Sequence, residues 1–524
     1  MSRVLTNNVG LQYAVETSIG TLPGSPEWHT LEPNSLGTYG ADITTTERRP
    51  IAAQRGRKKG AVVDLASAAE FDADLTMDAF TDFAEGFVFS EYANVEFDLK
   101  STGGVVPPPV ASSTTWTVES VTALLGGKLM DPVTGTAPLL FAKGYTNAAN
   151  NGLHALSTDA ASTDVILTTG STLVTETPAV NASLQVAGVR SAIADLALTV
   201  SGSTATLVSA ADIADWSVIG LFVGQYIHIG SPTTAGVVQN GMGTGTDIYG
   251  YARITSISSA TLNLDKLSST LATDAANSTL TDVMFGRFLR NVEISADSDD
   301  NRYLERTYQF EAAYPDLGGA GTDEYEYAIG NFANSLALNI PLTEKATATW
   351  GFVGTNSDDI TPTRKTNAAS AVNPLRTTAV NTSSDIVSIS TDVISLASDV
   401  CFKSLTLTIA NNVSPEKCIG TLGASFVNAG LYEVNLDGQL MFTNKSIVNA
   451  VKNNTTVTFS AIFRNDDGAV ALDIPSLTFG GAGREFPVDA SVLVNLTGLA
   501  FNDPSGTVPN VSLGISQFAA VPYA

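Results

Sequence analysis

With 524 residues the chain is long enough for about three or four domains of ordinary size, each able to bury a core without covalent staples. Its 27 Lys and Arg against 52 Asp and Glu leave a formal net charge of −25, which excludes a surface built mainly to grip nucleic acid or anionic lipid. Hydrophobic content of 44% excludes global disorder, and 15% charged residues with 44 Gly and 21 Pro point to a mainly β chain with many turns rather than a helical bundle.

The first eight residues, MSRVLTNN, carry no apolar core of a signal peptide, and no run of about 18 apolar residues could span a bilayer, so synthesis in a cytoplasm is expected. Arg48, Arg49, Arg55, Arg57, Lys58 and Lys59 then concentrate positive charge in a strongly acidic chain. Pro50 and Gly56 break the strands on either side, which predicts a protruding hairpin tip, either simply solvated or docked on an acidic partner. Directly after it, Glu70 to Asp78 alternates acid with apolar residue. One strand should carry Phe71, Ala73, Leu75 and Met77 inward and an acidic row containing Asp72 and Asp74 outward. The next segment, Asp78 to Phe89, spaces Phe80, Phe83 and Phe87 three and four apart, as on one face of a short helix packed on a sheet.

Composition changes at Ser101 to Thr115, a Gly- and Pro-rich linker, and again at Gly286, where charge and aromatics return. The aromatic-poor stretch between them reads as an insertion. A weak similarity between Gly152 to Gly170 and Gly250 to Lys266 suggests two small β-modules, 116–180 and 181–285, inserted between a first part, 1–104, and a second part, 286–524. In the second part Leu336 to Ile340 and Leu405 to Ile409 alternate cleanly as half-buried strands, whereas Thr355 to Thr382 reads as an irregular loop or arm. From Tyr432 to Phe442 apolar residues alternate with Glu433, Asn435, Asp437 and Gln439. Asp437-Gly438 could form a hairpin turn, but the unbroken alternation favours one long strand. Cys401 and Cys418 match no disulfide framework or redox motif and are expected as buried thiols.

No motif carries catalysis. His29, His154 and His228 have no paired-ligand spacing, and Asp297 to Asn301 resembles the start of a calcium loop but places Arg302 and Tyr308 where Gly and Glu are needed. The glycine runs at 241–245, 318–321 and 480–483 lack dinucleotide and phosphate-loop spacing. Catalytic, cofactor-binding and metal-binding residues are therefore expected to be absent, with no cofactor.

Three segments together resemble a known family. Trp28 to Ile51 (WHTLEPNSLGTYGADITTTERRPI), Arg57 to Leu65 (RKKGAVVDL) and Glu70 to Phe80 (EFDADLTMDAF) resemble the N-terminal part of tail tube (major tail) proteins of long-tailed bacteriophages. From about Leu405 onward the likeness is one of pattern only. The resemblance implies a β-sandwich protomer with one packed helix, joining in hexameric rings whose inner strands form a barrel. Stacked rings would make the tube for genome delivery, a virion component with tape measure, tail terminator and distal tail proteins as partners, no enzyme activity and no membrane. Asp72, Asp74, Glu433 and Asp437 would then face the lumen, and the tip carrying Arg48, Arg49, Arg55, Arg57, Lys58 and Lys59 would make the contact between rings or subunits. An acidic lumen suits passage, because a basic wall making six or more phosphate contacts would hold DNA tightly at low salt. The inserted modules would decorate the outside and be dispensable for assembly. The competing reading is a secreted or surface-layer β-rich adhesin, which shares the acidity and the Thr and Asn richness but calls for an export signal.

Overall fold

The computed structural model describes residues 4–51, 56–93, 98–99, 110–112, 115–117, 137–155, 165–167, 173–177, 182–210, 213, 215–232, 238–243, 247–298, 301–319, 321–374, 376–391, 394–395, 402–443 and 445–518. The fold is mainly β, with antiparallel sheets none of which closes into a barrel among the described residues. The chain divides into two compact units, one made of Met1–Phe89, Leu304–Pro374 and Lys403–Gly438, the other of Ser90–Tyr303, Leu375–Phe402 and Gln439–Ala524.

The first unit is built on β1 (Gly10–Val15), β2 (Trp28–Leu31), β3 (Pro33–Arg48), β4 (Lys58–Asp74), α1 (Met77–Val88), β5 (Thr307–Gly319), β6 (Thr322–Pro341), β7 (Thr347–Gly354), β8 (Phe402–Ala410) and the start of β9 (Glu433–Met441). Antiparallel pairing runs β2-β1-β5-β6-β7-β4-β3. The two cleanly alternating strands of the sequence meet each other. β8 lies on the free edge of β6 with Leu336 opposite Ile409, Leu338 opposite Leu407 and Ile340 opposite Leu405, all six buried. Such pairs of apolar residues on one face are what fixes register, since a slip by one residue would turn every one of them outward.

α1 forms where the phenylalanine spacing places it. Thr76 caps it by accepting from the Ala79 amide at 3.3 Å, and Phe89 ends it in a left-handed conformation. Phe80, Phe83 and Phe87 are buried, with Phe83 4.7 Å from Tyr13 and 5.3 Å from Trp350 between ring centroids. The stretch after β7 is not an arm. Residues 356–374 are strapped down, with Trp28 Nε1 donating to the Thr366 carbonyl at 3.0 Å, Gln12 Nε2 to the Ala368 carbonyl at 3.0 Å, and Arg364 paired with the buried Glu311 at 2.5 Å.

In the second unit, strand pairing crosses the boundary expected at 180/181. One antiparallel sheet orders its strands 196–201, 204–209, 261–265, 250–258, 226–229, 281–284, 183–191, 137–143 and 152–155. Trp116, Leu140, Val186, Leu207, Ile227 and Val283 share a single core. The internal similarity of the sequence has no structural counterpart, because 250–258 and 261–265 form a hairpin whereas 152–155 and 165–167 lie in different sheets.

The same unit contains α2 (Lys445–Lys452), β10 (Thr456–Asn465), β11 (Gly468–Glu485), β12 (Leu493–Ala500) and β13 (Gly514–Phe518). The inserted segment is welded to these strands. Tyr226 and Tyr251 share a core with Ile462, Ala469, Ala471 and Phe518. Arg253 grips Asp265 through two nitrogens at 2.8 and 2.6 Å and Asp473 of β11 at 2.8 Å. A second ion pair joins Lys143 to Asp467 at 2.5 Å, and the Thr378 amide also donates to Asp467 at 2.9 Å. Burial alone pushes the Asp467 carboxyl up, but Lys143 and Thr378 hold it below the usual carboxylate range. A depressed carboxylate contributes stability above its unfolded pKa and loses it as pH falls through the folded one. Asp467→Asn should therefore lower the melting temperature at neutral pH and make no difference once acid has protonated the parent, which thermal unfolding at a series of pH values reads directly.

Candidate assembly surfaces

The outer halves of β3 and β4 form an arm. Over 43–51 and 56–63 both faces of the hairpin are exposed apart from half-buried Gly60, and Ile43, Ile51, Val62 and Val63 are uncovered by the rest of the chain. At Gly60 a side chain would collide with the Thr46 carbonyl at 2.6 Å, so glycine allows the two backbones to approach. Arg49 and Arg57 both pair with Glu47, at 3.1 and 2.8 Å, so the expected cationic tip is partly neutralised from within. Arg48, Lys58 and Lys59 are exposed and have no ion-pair partner among the described residues. Arg48 lies opposite Lys58 in the ladder, and like charges directly opposed cost stability. Arg55 lies outside the described residues.

The acidic residues occupy the outward rows that alternation gave them. Phe71 and Leu75 are buried and Asp72 and Asp74 half-buried; Asp72 accepts from Thr349 Oγ1 at 3.1 Å and Asp74 pairs with Lys345 at 2.7 Å. β9 runs unbroken through Asp437-Gly438, which excludes a turn there, and buries Val434, Leu436 and Leu440 while Glu433 and Asp437 stay exposed. Each strand brings its own two carboxylates onto one face.

Two surfaces were not legible as sites in the sequence. The segment after β8 exposes Ile419, Leu422, Phe426 and Leu431, and the turn between β11 and β12 exposes Phe486 and Val488. The signal available was large apolar residues inside turn-rich, polar stretches, which does not by itself say that they are uncovered. Cys418, expected buried, is exposed in the first of these segments, where its short side chain has no core to enter; Cys401 lies outside the described residues.

The histidines serve the core. His29 stacks on Tyr13 at 5.1 Å, His228 is bonded through Nδ1 to the Gly230 carbonyl at 2.7 Å, and burial pushes the pKa of His154 down. Among the described residues no three His, Cys, Asp or Glu side chains are grouped to hold a metal, and no helix is long and apolar enough to cross a membrane. What the chain offers is strand edges, an arm and exposed apolar turns. A protein-family model described as phage tail tube protein matches residues 266–500. Over these residues the chain is similar to phage tail tube proteins. No curated protein matches it. The tail tube match takes in β5 to β12 with α2, including the strands from about Leu405 whose likeness in the sequence is one of pattern, and begins inside the inserted segment. The arm and α1, which carry the more specific wording of the resemblance, lie before it. The match supports a structural protein of the phage tail.

Proposed function

We propose that copies of this chain join into rings of six tube folds, and that the rings stack into the tail tube through which the genome is delivered. The observation that carries this reading is the β3–β4 arm, a long hairpin uncovered on both faces with like charges opposed across it. A hairpin of that kind has its stabilising contacts elsewhere, and in a chain of net charge −25 an acidic neighbour is the available one. The arm reaches the adjoining ring or subunit through Arg48, Arg49, Arg55, Arg57, Lys58 and Lys59. Asp72, Asp74, Glu433 and Asp437 line the lumen, where water solvates them and DNA passes without specific binding. The segment 116–285 lies on the outside of the tube, because a channel that admits duplex DNA has no room for it. The chain is made in the host cytoplasm and works beside tape measure, tail terminator and distal tail proteins, without catalysis.

Replacing Arg55, Arg57, Lys58 and Lys59 together by Ser tests the arm. Each exposed pair is worth only about 0.2–1 kcal/mol, but repetition around a ring multiplies the loss. Tube growth followed by light scattering should cease while circular dichroism stays that of the parent. Tubes formed at the parent's rate would remove the arm's charges from the assembly contact.

A further inference from the structure

The chain carries one arrangement of elements twice. β3, β4, α1, β5, β6 and β7 are followed by β8, β9, α2, β10, β11 and β12, in the same kinds and order: two paired strands, a helix and a three-strand meander. The partners repeat too. β3 pairs with β4 and β8 with β9; β5-β6-β7 and β10-β11-β12 are continuous antiparallel runs; α1 packs on β6 and α2 on β11.

The correspondence extends to registered residue pairs. Shifting the β6–β7 hairpin by 146 positions (478 − 332) turns Phe332–Val353 into Thr478–Leu499, Ala337–Thr349 into Gly483–Asn495 and Asn339–Thr347 into Glu485–Leu493, each a registered pair. The connecting turns share a left-handed residue at the same place, Thr343 with φ 60° and Asp489 with φ 59°. In the preceding hairpins Thr307–Phe332 and Phe310–Ala328 correspond to Thr456–Thr478 and Phe459–Ile474, and the bulge between Tyr308 and Phe310 recurs between Val457 and Phe459. Such bulges are specific local features rather than accidents of a meander. Just before each helix the Leu75 amide donates to Ala346 at 3.0 Å and the Phe442 amide to Val492 at 2.8 Å; three residues upstream, Asp72 meets Thr349 and Gln439 meets Asn495. In this alignment Glu70 matches Asp437, so the outward acidic rows fall on equivalent faces. The long insertion between α1 and β5 is matched by only three residues, 453–455, between α2 and β10.

One contact breaks the symmetry. β8, the first strand of the second copy, lies on the edge of β6 from Ser335 to Pro341. The same shift moves that edge to residues 481–487 at the end of β11. Among the described residues, 481–485 pair with β12 alone and β3 pairs with β4 alone. Those two edges are the two halves of the contact that β6 and β8 make. Phe486 stands at the position of Ile340; Ile340 is 7% exposed beneath Leu405, whereas Phe486 is 74% exposed. A large apolar side chain at the position that its counterpart buries marks a surface that another strand covers.

We propose that β3 of one chain adds to residues 481–487 of a second copy, repeating the β8-on-β6 pairing, and that the ring therefore takes two tube folds from each chain. This head-to-tail contact uses different surfaces on its two sides, so it extends from chain to chain until the ring closes. Resting on the proposed ring of six tube folds, it gives three chains per ring.

Native mass spectrometry of isolated rings, or mass per length of tubes by scanning transmission microscopy, counts the chains. Three per ring, a ring mass of three times 54.5 kDa, is the expected result. Six per ring overturns the shared-fold arrangement and leaves the tube reading standing, whereas a folded chain that forms neither rings nor tubes removes both. Phe486→Asp, at an exposed position, should keep the parent's circular dichroism and melting and lose ring formation. Rings formed by F486D with the parent's yield would overturn the β11 edge as the contact.

Discussion

Arg253→Met is expected to destabilise the second unit by about 3–5 kcal/mol, the range for removing one partner of a buried ion pair. The Arg253 side chain is 1% exposed and that of Asp473 2%. The guanidinium is held from two sides, by both oxygens of Asp265 and one of Asp473, so its loss strands two carboxylates, one of them wholly inside. Chemical denaturation should show the loss as a lower midpoint. Restoring shape without charge separates the causes: Asp473→Leu added to Arg253→Met should recover much of the stability, because the stranded carboxylate is then gone. The pH dependence carries the same sign. Burial pushes the Asp473 carboxyl up, opposed by Arg253. Without the arginine it rises further, and a raised carboxyl favours the folded state when protonated and penalises it as pH climbs through the folded value. The single variant should therefore lose least against the parent in acid and most at neutral pH; a deficit independent of pH would point to lost packing instead.

Joining Thr102 to Gly286 through a short linker is expected to abolish folding of the C-terminal strands, not to yield a thinner tube. The composition of the inserted stretch suggested an appended, dispensable segment. The structure corrects that expectation on physical grounds, because the deletion takes away Arg253, Lys143, Tyr226 and Tyr251 and leaves Asp473, Asp467, Ile462 and Phe518 without their partners. A buried carboxylate without its cation and an uncovered apolar face are each enough to unbalance a domain whose net stability is only about 5–15 kcal/mol. The family match, which begins at residue 266, treats the last inserted strand as part of the tube sequence. Soluble expression and near-ultraviolet circular dichroism of the deletion read the outcome. A cooperative, folded product would show the insertion to be separable after all.

Elements with strong local periodicity were legible. The Phe80, Phe83 and Phe87 face, the strand through Asp437-Gly438 and the alternation at Leu336 and Leu405 all follow from side-chain spacing, which chain-local physics sets. Which strands pair was not, since alternation gives a face and not a neighbour. The true internal repeat also escaped the sequence. Its copies share Thr307 with Thr456, Phe310 with Phe459 and Ala312 with Ala461, but set Trp350 against Leu496, Phe352 against Gly498 and Leu338 against Arg484. Backbone register, a bulge and a left-handed turn carry the likeness, and many residue types satisfy each of them. The similarity between 152–170 and 250–266 rested instead on shared Thr, Ser and Ala: 250–258 pairs with 261–265, whereas 152–155 and 165–167 lie in different sheets. Arg253 was hidden for the opposite reason: a single cation in an alternating strand reads as exposed until its distant partners, Asp265 and Asp473, are known.

Cryo-electron microscopy of the purified full-length chain, taken through rising concentration, tests the central claim. Stacked rings with a continuous lumen, Asp72, Asp74, Glu433 and Asp437 on its wall and the β3–β4 arm at the contacts between rings or subunits, are the predicted result. A folded chain that stays as isolated particles throughout, or a tube with those four carboxylates on its outer surface, would contradict it.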